Sequence, residues 1–333
     1  MSRRVLRLAI RLVGPALLGV VLYRLRDAGP VLAHLDRRDI LPLAAATLLN
    51  AVNYYFKVRR WDVLLAARGH HYSRLRAWTS FLSAGYVGLL TPGRVGDLLR
   101  VQYLRHDLGI AYADGLALLA VDRLCDLYVL LAFAALGIAC LGAAFTGQLA
   151  LVLWLGVALV ALGPLLLLFP GLLRRVAALV YRKLGRTTTT TTTDERPPLP
   201  DFDRFLAGLR HQRLPDILRA VVWTALAFAV NYGQGYILAV ALGLDLGLLD
   251  IVGLLAVASL LGLLPISISG LGVRELCFAL AFPLLGYSAE AGVIYGLGIF
   301  FVIYVAAVLM GFVSWQLAPP PVGPPPTPGG AAA

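Results

Sequence analysis

Apolar runs about as long as a bilayer is thick recur along the whole chain, and they decide what it can fold into. They cover residues 5–23, 40–56, 112–142, 149–170, 217–243, 251–286 and 291–317. Each is near or above the roughly 20 residues that a helix needs to cross a hydrocarbon core. Lipid offers the backbone no hydrogen-bond partner, so spanning segments must be helices or closed barrels. The alternating pattern of barrel strands is absent, which leaves an all-α class: a polytopic transmembrane helical bundle. Only 14% of residues are charged against 59% hydrophobic, with a mean hydropathy of +0.81, far from soluble-domain usage. The first run is long, basic at its far end and followed by no small-residue cleavage site, so it reads as a retained helix. Cys125, Cys140 and Cys277 fall inside apolar runs without the paired spacing of a zinc site or disulfide framework, and read as small core residues.

A net charge of +11 raises the question of nucleic acid, but most Lys and Arg sit in short loops beside hydrophobic runs, where membrane topology accounts for them. Arg3, Arg4, Arg7 and Arg11 place the N-terminus in the cytoplasm, as do Lys57, Arg59, Arg60, Arg68, Arg74 and Arg76 for segment 57–76. Segments 24–39, 143–148 and 243–250 are mixed or poor in basic residues and read as external. The basic loop 171–216 returns to the cytoplasm; its stretch TTTTTTTDERPPLP is a polar tract that cannot build a core.

Residues 78–90, WTSFLSAGYVGLL, are apolar enough to enter a bilayer and too short to cross it, and TPGRVGDLLR (91–100) follows directly. With RVQYLRHD (100–107) polar and basic again, the chain is expected to turn back at Thr91-Pro92-Gly93. Pro92 breaks the incoming helix, Gly93 and Gly96 allow tight geometry, and the next helix is expected to begin near Arg94 with its amides available to an anion. The stretch ASLLGLLPISISGLGVRELCFAL (258–280) repeats the pattern with Pro265, Gly270, Gly272, Arg274 and Glu275. Asn53 and Asn231, both in Val-Asn-Tyr inside apolar runs, lie 178 residues apart; Gly93 and Gly270 lie 177 apart, and Asp97 and Glu275 lie 178 apart. A near-constant offset argues for an internal repeat. Under the loop charges its halves run in opposite senses, giving two re-entrant helical hairpins that meet near the midplane, an arrangement suited to transport.

Charge inside apolar runs marks what such a site holds. VDRLCD places Asp122 and Asp126 one turn apart on one helix face with Arg123 beside them; an interfacial salt bridge is the alternative role. Arg94, Arg123 and Arg274 supply guanidinium forks suited to a phosphate, which Asp97, Asp122, Asp126 and Glu275 could orient. Arg100 and Arg59-Arg60-Trp61 are expected at the cytoplasmic interface, snorkelling and anchoring. The five histidines fall in loops, and neither a metal-ligand cluster, a Ser-His-Asp order nor a nucleotide-binding motif is present. No metal, cofactor or catalytic residue is therefore assigned, and uphill transport would have to draw on an ion gradient.

The ordered series NYYFKVRRW, TPGRVGDLLR, VDRLCD and SISGLGVRE resembles the lysylphosphatidylglycerol synthase transmembrane-region family, a flippase-like family, over roughly residues 5–317. The resemblance implies an integral membrane lipid translocator, or an accessory to lipid or glycolipid export, in the cell membrane. It carries over Pro92, Gly93, Arg94, Gly96, Asp97 and Arg100, then Asp122, Arg123 and Asp126, then Gly270, Gly272, Arg274 and Glu275. The sequence departs from the family in lacking a soluble aminoacyl-transferase domain, so lysyl-lipid synthesis is not expected, and in having Ser269-Gly270 where the family often has Gly-Gly. The expected partners are membrane lipids, an anionic phospholipid or a lipid-linked phosphate, with a lipid-synthesis or glycosyltransferase partner as a further expectation. A membrane enzyme using Asp97 or Asp122 as base, or a non-transporting subunit, are the alternatives. The membrane domain spans 1–317, with halves at about 40–142 and 217–317, and a Pro-rich tail with the composition of disorder covers 318–333.

Overall fold

The computed structural model describes residues 37, 40–140, 158, 200–262 and 272–321. The runs 5–23 and 149–170, the poly-Thr tract, Pro265 and Gly270 lie outside the described residues, which are helical or in turns and contain no strand.

Helix α1 is Ile40–Ala66 and helix α2 is Arg74–Leu90. Ser73 starts α2 by accepting a hydrogen bond from the Arg76 amide through its hydroxyl. Pro92 ends it, since the residue before a proline is forced out of helical geometry, and Thr91 adopts φ −105° and ψ 139°. The chain does reverse here, but the expected helix does not begin at Arg94. A 3₁₀ helix runs over Pro92–Leu98 and α3 follows at Leu99–Leu108. The reason is local: Arg94 has φ 56°, which no α-helical turn accommodates, and the Thr91 hydroxyl takes the Gly96 amide at 2.9 Å. The returning arm lies so close to α2 that a Cβ on Gly96 would stand 2.4 Å from the Gly88 nitrogen. Gly109, at φ 67°, closes α3, and α4 runs Tyr112–Cys140.

After α5, Pro200–Leu209, come α6, Leu214–Ala241, and α7, Leu248–Leu261. Helix α8 is Val273–Ala281, so the apolar run 251–286 is not one helix. Ser288 caps the last rod, which runs through α9 (Ala289–Ile299), a π-helical segment (Phe300–Val305) and α10 (Ala306–Leu317). Among the described residues, Leu214–Ala241 and Ala289–Leu317 are long and apolar enough to cross a membrane.

Two sets of elements therefore follow the same order: α1, α2, α3 and α4, then α6, α7, α8 and the α9–α10 rod. Their packing is reciprocal as well. Helix α1 lies along α6; α2 packs on α10 while α7 packs on α4; α3 packs on α4 while α8 packs on α9. Glycines set the closest of these contacts, for without side chains the backbones meet directly. A Cβ on Gly137 of α4 would fall 2.1 Å from the Gly253 Cα of α7, and one on Gly292 of α9 would fall 2.4 Å from the Phe278 carbonyl oxygen of α8. One buried cluster gathers Tyr54, Trp61, Phe81 and Tyr86 with Trp315, and a second gathers Tyr232, Phe278, Phe282 and Tyr295. The chain beyond α10 is held where it begins: Tyr103 donates to the Ala318 carbonyl at 2.5 Å and Gln102 to that of Pro321 at 2.7 Å.

Candidate functional site

A cavity of about 350 Å³ opens between the two sets of helices, and most of the residues singled out from the sequence reach it. Asn53, Arg94, Asp97, Arg100, Arg123, Asp126, Asn231 and Arg274 all line it, together with Asn50, Tyr54, Lys57, Thr91 and Tyr304. Phe81, Leu127, Leu130, Phe228 and Ile303 give it apolar walls. Asn53 and Asn231 meet directly, the Asn53 amide donating to the Asn231 side-chain oxygen at 2.9 Å and to the Ala227 carbonyl at 2.6 Å.

Asp122 does not line the cavity. It is fully buried behind it and forms the hub of a closed ion network. Arg60 reaches Asp122 at 2.7 Å, Arg123 at 2.8 Å and Arg100 at 2.9 Å. Arg60 and Arg123 (3.2 Å) also hold Asp126, while Arg100 (3.3 Å) and Arg123 (3.4 Å) hold Asp97. Three guanidiniums thus meet three carboxylates. A buried charge costs several kcal/mol unless it is paired and hydrogen-bonded, so the network is self-contained and its charge is spent internally. Gly88 makes room for it, since a Cβ there would lie 2.6 Å from Asp97 Oδ1.

Two expectations need correction. Arg100 does not snorkel at an interface: it is 3% exposed, with its guanidinium 4.2 Å from the Phe81 ring centre and 5.2 Å from that of Trp61. Arg60 is fully buried as well and also donates to Thr224 at 3.1 Å. The sequence carried a signal for this that loop-charge counting overrode: Asn53, Lys57 and Arg60 stand at i, i+4 and i+7, on one helical face. Lys57 and Tyr54 were likewise missed, although they sit in the quoted stretch NYYFKVRRW.

The second set of helices contributes differently. The Arg274 guanidinium lies 4.4 Å from the ring centre of Tyr304 and 5.6 Å from that of Phe300, both on the π-helical segment. Such segments interrupt helices frequently at functional sites. Arg274 is 4% exposed, and its Nη2 has no hydrogen-bond partner. Glu275 stays out of the cavity; it accepts the Gly272 amide at 2.5 Å as a helix cap and pairs with Arg274 Nε at 3.3 Å. The side chains of Pro92 and Gly93 lie outside the described residues.

Far from the cavity, α2 and α3 are clamped by Asp107. Arg76 reaches its carboxylate at 2.7 and 3.1 Å, and the Tyr72 hydroxyl donates at 2.9 Å. Burial pushes the carboxyl upward, but hydrogen bonds from Arg76, His106 and Tyr72 outweigh it and hold Asp107 below the ordinary carboxylate range.

Apolar helices packed around a charged, arginine-rich cavity define a helical membrane protein with an internal polar site. The chain belongs to the family described as "Lysylphosphatidylglycerol synthase TM region", whose model matches residues 5–311. It is also similar to the protein named "Glycosyltransferase AglD" from Haloferax volcanii, at 26% identity over 287 residues covering 76% of this chain and 45% of that relative. The chain therefore spans less than half of the relative it matches. No solved structure matches it.

Proposed function

We propose that this protein is a lipid translocator of the flippase or scramblase type, with the phosphate of an anionic lipid held by arginines in the cavity while the acyl or polyprenyl tails stay in lipid. The observation that carries this reading is the presence of both Arg94 and Arg274, 180 positions apart in sequence, on the wall of one cavity between two similarly ordered helical sets. Guanidiniums suit phosphate because their forked donors match its oxygens.

The two sets are proposed to be halves of an inverted repeat, with α2–α3 and α7–α8 as re-entrant hairpins and the N-terminus cytoplasmic. Reciprocal packing and the Asn53–Asn231 contact, at the 178-residue offset, support this reading. In such repeats broken helices meet at a central site. A second reading, in which the chain assists glycolipid synthesis without translocating, draws on the relative named a glycosyltransferase.

One assay separates them. The pure protein in liposomes with labelled phosphatidylglycerol and a polyprenyl phosphate should move label between leaflets without changing it chemically. Converted lipid would favour enzymatic action, and static, unconverted lipid would favour the accessory role.

A further inference from the structure

The charges on the cavity wall are not balanced, and the imbalance points to the kind of headgroup that fits. Arg60, Arg100 and Arg123 are matched by Asp97, Asp122 and Asp126, and Arg274 by Glu275. Among the described residues that leaves Lys57 and Arg94 as cavity cations outside any ion pair, six cations in all facing four carboxylates. Lys57 has the Tyr54 ring at 5.1 Å, and it feels the Asp126 carboxylate, already held by Arg60 and Arg123, together with the like charge of Arg94. The Arg94 backbone holds a left-handed φ of 56°, a conformation that costs a side-chain-bearing residue free energy and is kept where it serves function. A third donor waits nearby: Arg274 Nη2 is buried on the cavity wall without a partner.

From this excess of two positive charges and one orphan donor, we infer that the cavity selects a doubly charged phosphate headgroup, a phosphomonoester or diphosphate, over a phosphodiester with a single charge. A phosphomonoester carries about −1.5 to −2 at neutral pH and three acceptor oxygens. It can neutralise Lys57 and Arg94 together while its third oxygen takes the Arg274 donor. A phosphodiester, with one charge and two free oxygens, leaves a cation and a donor unmet. The inference rests on the anionic-lipid reading above and narrows it.

The test compares dioleoyl phosphatidic acid, a phosphomonoester, with dioleoyl phosphatidylglycerol, a phosphodiester, for binding to the full chain in detergent micelles. Phosphatidic acid should bind about tenfold or more tightly, the effect of one added charge-assisted hydrogen bond. Arg94→Gln and Lys57→Gln should each bring the ratio close to one, whereas Arg105→Gln, at an exposed residue outside the cavity, should leave it unchanged. The wild-type ratio decides the question without any variant, so a variant that fails to fold does not remove the test. Equal binding of both lipids would overturn the dianion inference and leave the anionic-lipid reading standing. Binding of neither lipid would overturn both. Inorganic phosphate competing as well as phosphatidic acid would assign the site to free phosphate instead of a lipid.

Discussion

The two helical sets that flank the cavity present opposite chemistry to it. On α4, Asp122 and Asp126 anchor an ion network with three arginines. On the α9–α10 rod, 178 positions further on, the offset of the Asn53–Asn231 pair, stand Phe300 and Tyr304, the two rings beneath Arg274. Gly272 lies at the same offset from Arg94, and both hold a positive φ, 86° and 56°. Each set thus carries one residue at positive φ there, an arginine accepting strain in one and a glycine free of it in the other. The molecule therefore carries a self-neutralised charge store on one side and a single arginine–glutamate pair over aromatic rings on the other.

The sharpest way to break the comparison is to remove the hub. Asp122→Ala would leave Arg60, Arg100 and Arg123 short of a buried counter-charge, and should cost about 3–5 kcal/mol of unfolding free energy. Phe300→Leu at the corresponding place should cost about 1 kcal/mol. Denaturant unfolding in detergent reads both; similar losses would mean that the ion network is no more structural than the aromatic pair.

A smaller effect of opposite sign is expected at the turn. Arg94→Gly makes the first turn like the second and should raise stability by about 1 kcal/mol, because the left-handed strain is relieved. The same change should weaken phosphatidic acid binding about tenfold or more. A variant that both unfolds more easily and binds less would show that the arginine, and not the backbone, holds the turn.

The smallest effect concerns acid. Asp107 has its carboxyl below the ordinary range in the folded chain, so its contribution is complete above the unfolded value near 4 and is lost as pH falls through the lower folded value. The α2–α3 hairpin should accordingly loosen below about pH 4 before α7–α8, in which no comparable clamp is found among the described residues. Amide exchange of 74–108 against 248–281 at pH 3 and pH 6 measures it; equal protection in both hairpins at pH 3 would remove the clamp from the comparison.

Much of this site was legible from residue order. Pro92 marks the reversal because a proline after a long helical pattern cannot continue that helix, and Asp122, Arg123 and Asp126 stand out because charge inside an apolar run is rare. Arg100 and Arg60 were misplaced for a related reason. Both adjoin polar, basic stretches, and loop-charge counting treats every such arginine as a topology marker. The face shared by Asn53, Lys57 and Arg60 was visible in the spacing, but spacing does not say which helix that face meets.

The sequence alone therefore determined the all-helical membrane class, the break at Pro92 and the charged residues worth watching, since each follows from chemistry within a few turns of chain. Tertiary structure decided the pairings. Arg60 finds Asp126 across 66 residues and Arg100 finds Asp122 across 22, and only then is it apparent that three arginines are ion-paired while, among the described residues, Lys57 and Arg94 are not. Local patterns fix which face of a helix is polar, but the balance of charge in a cavity depends on which faces are brought together, and that depends on the packing of the whole bundle.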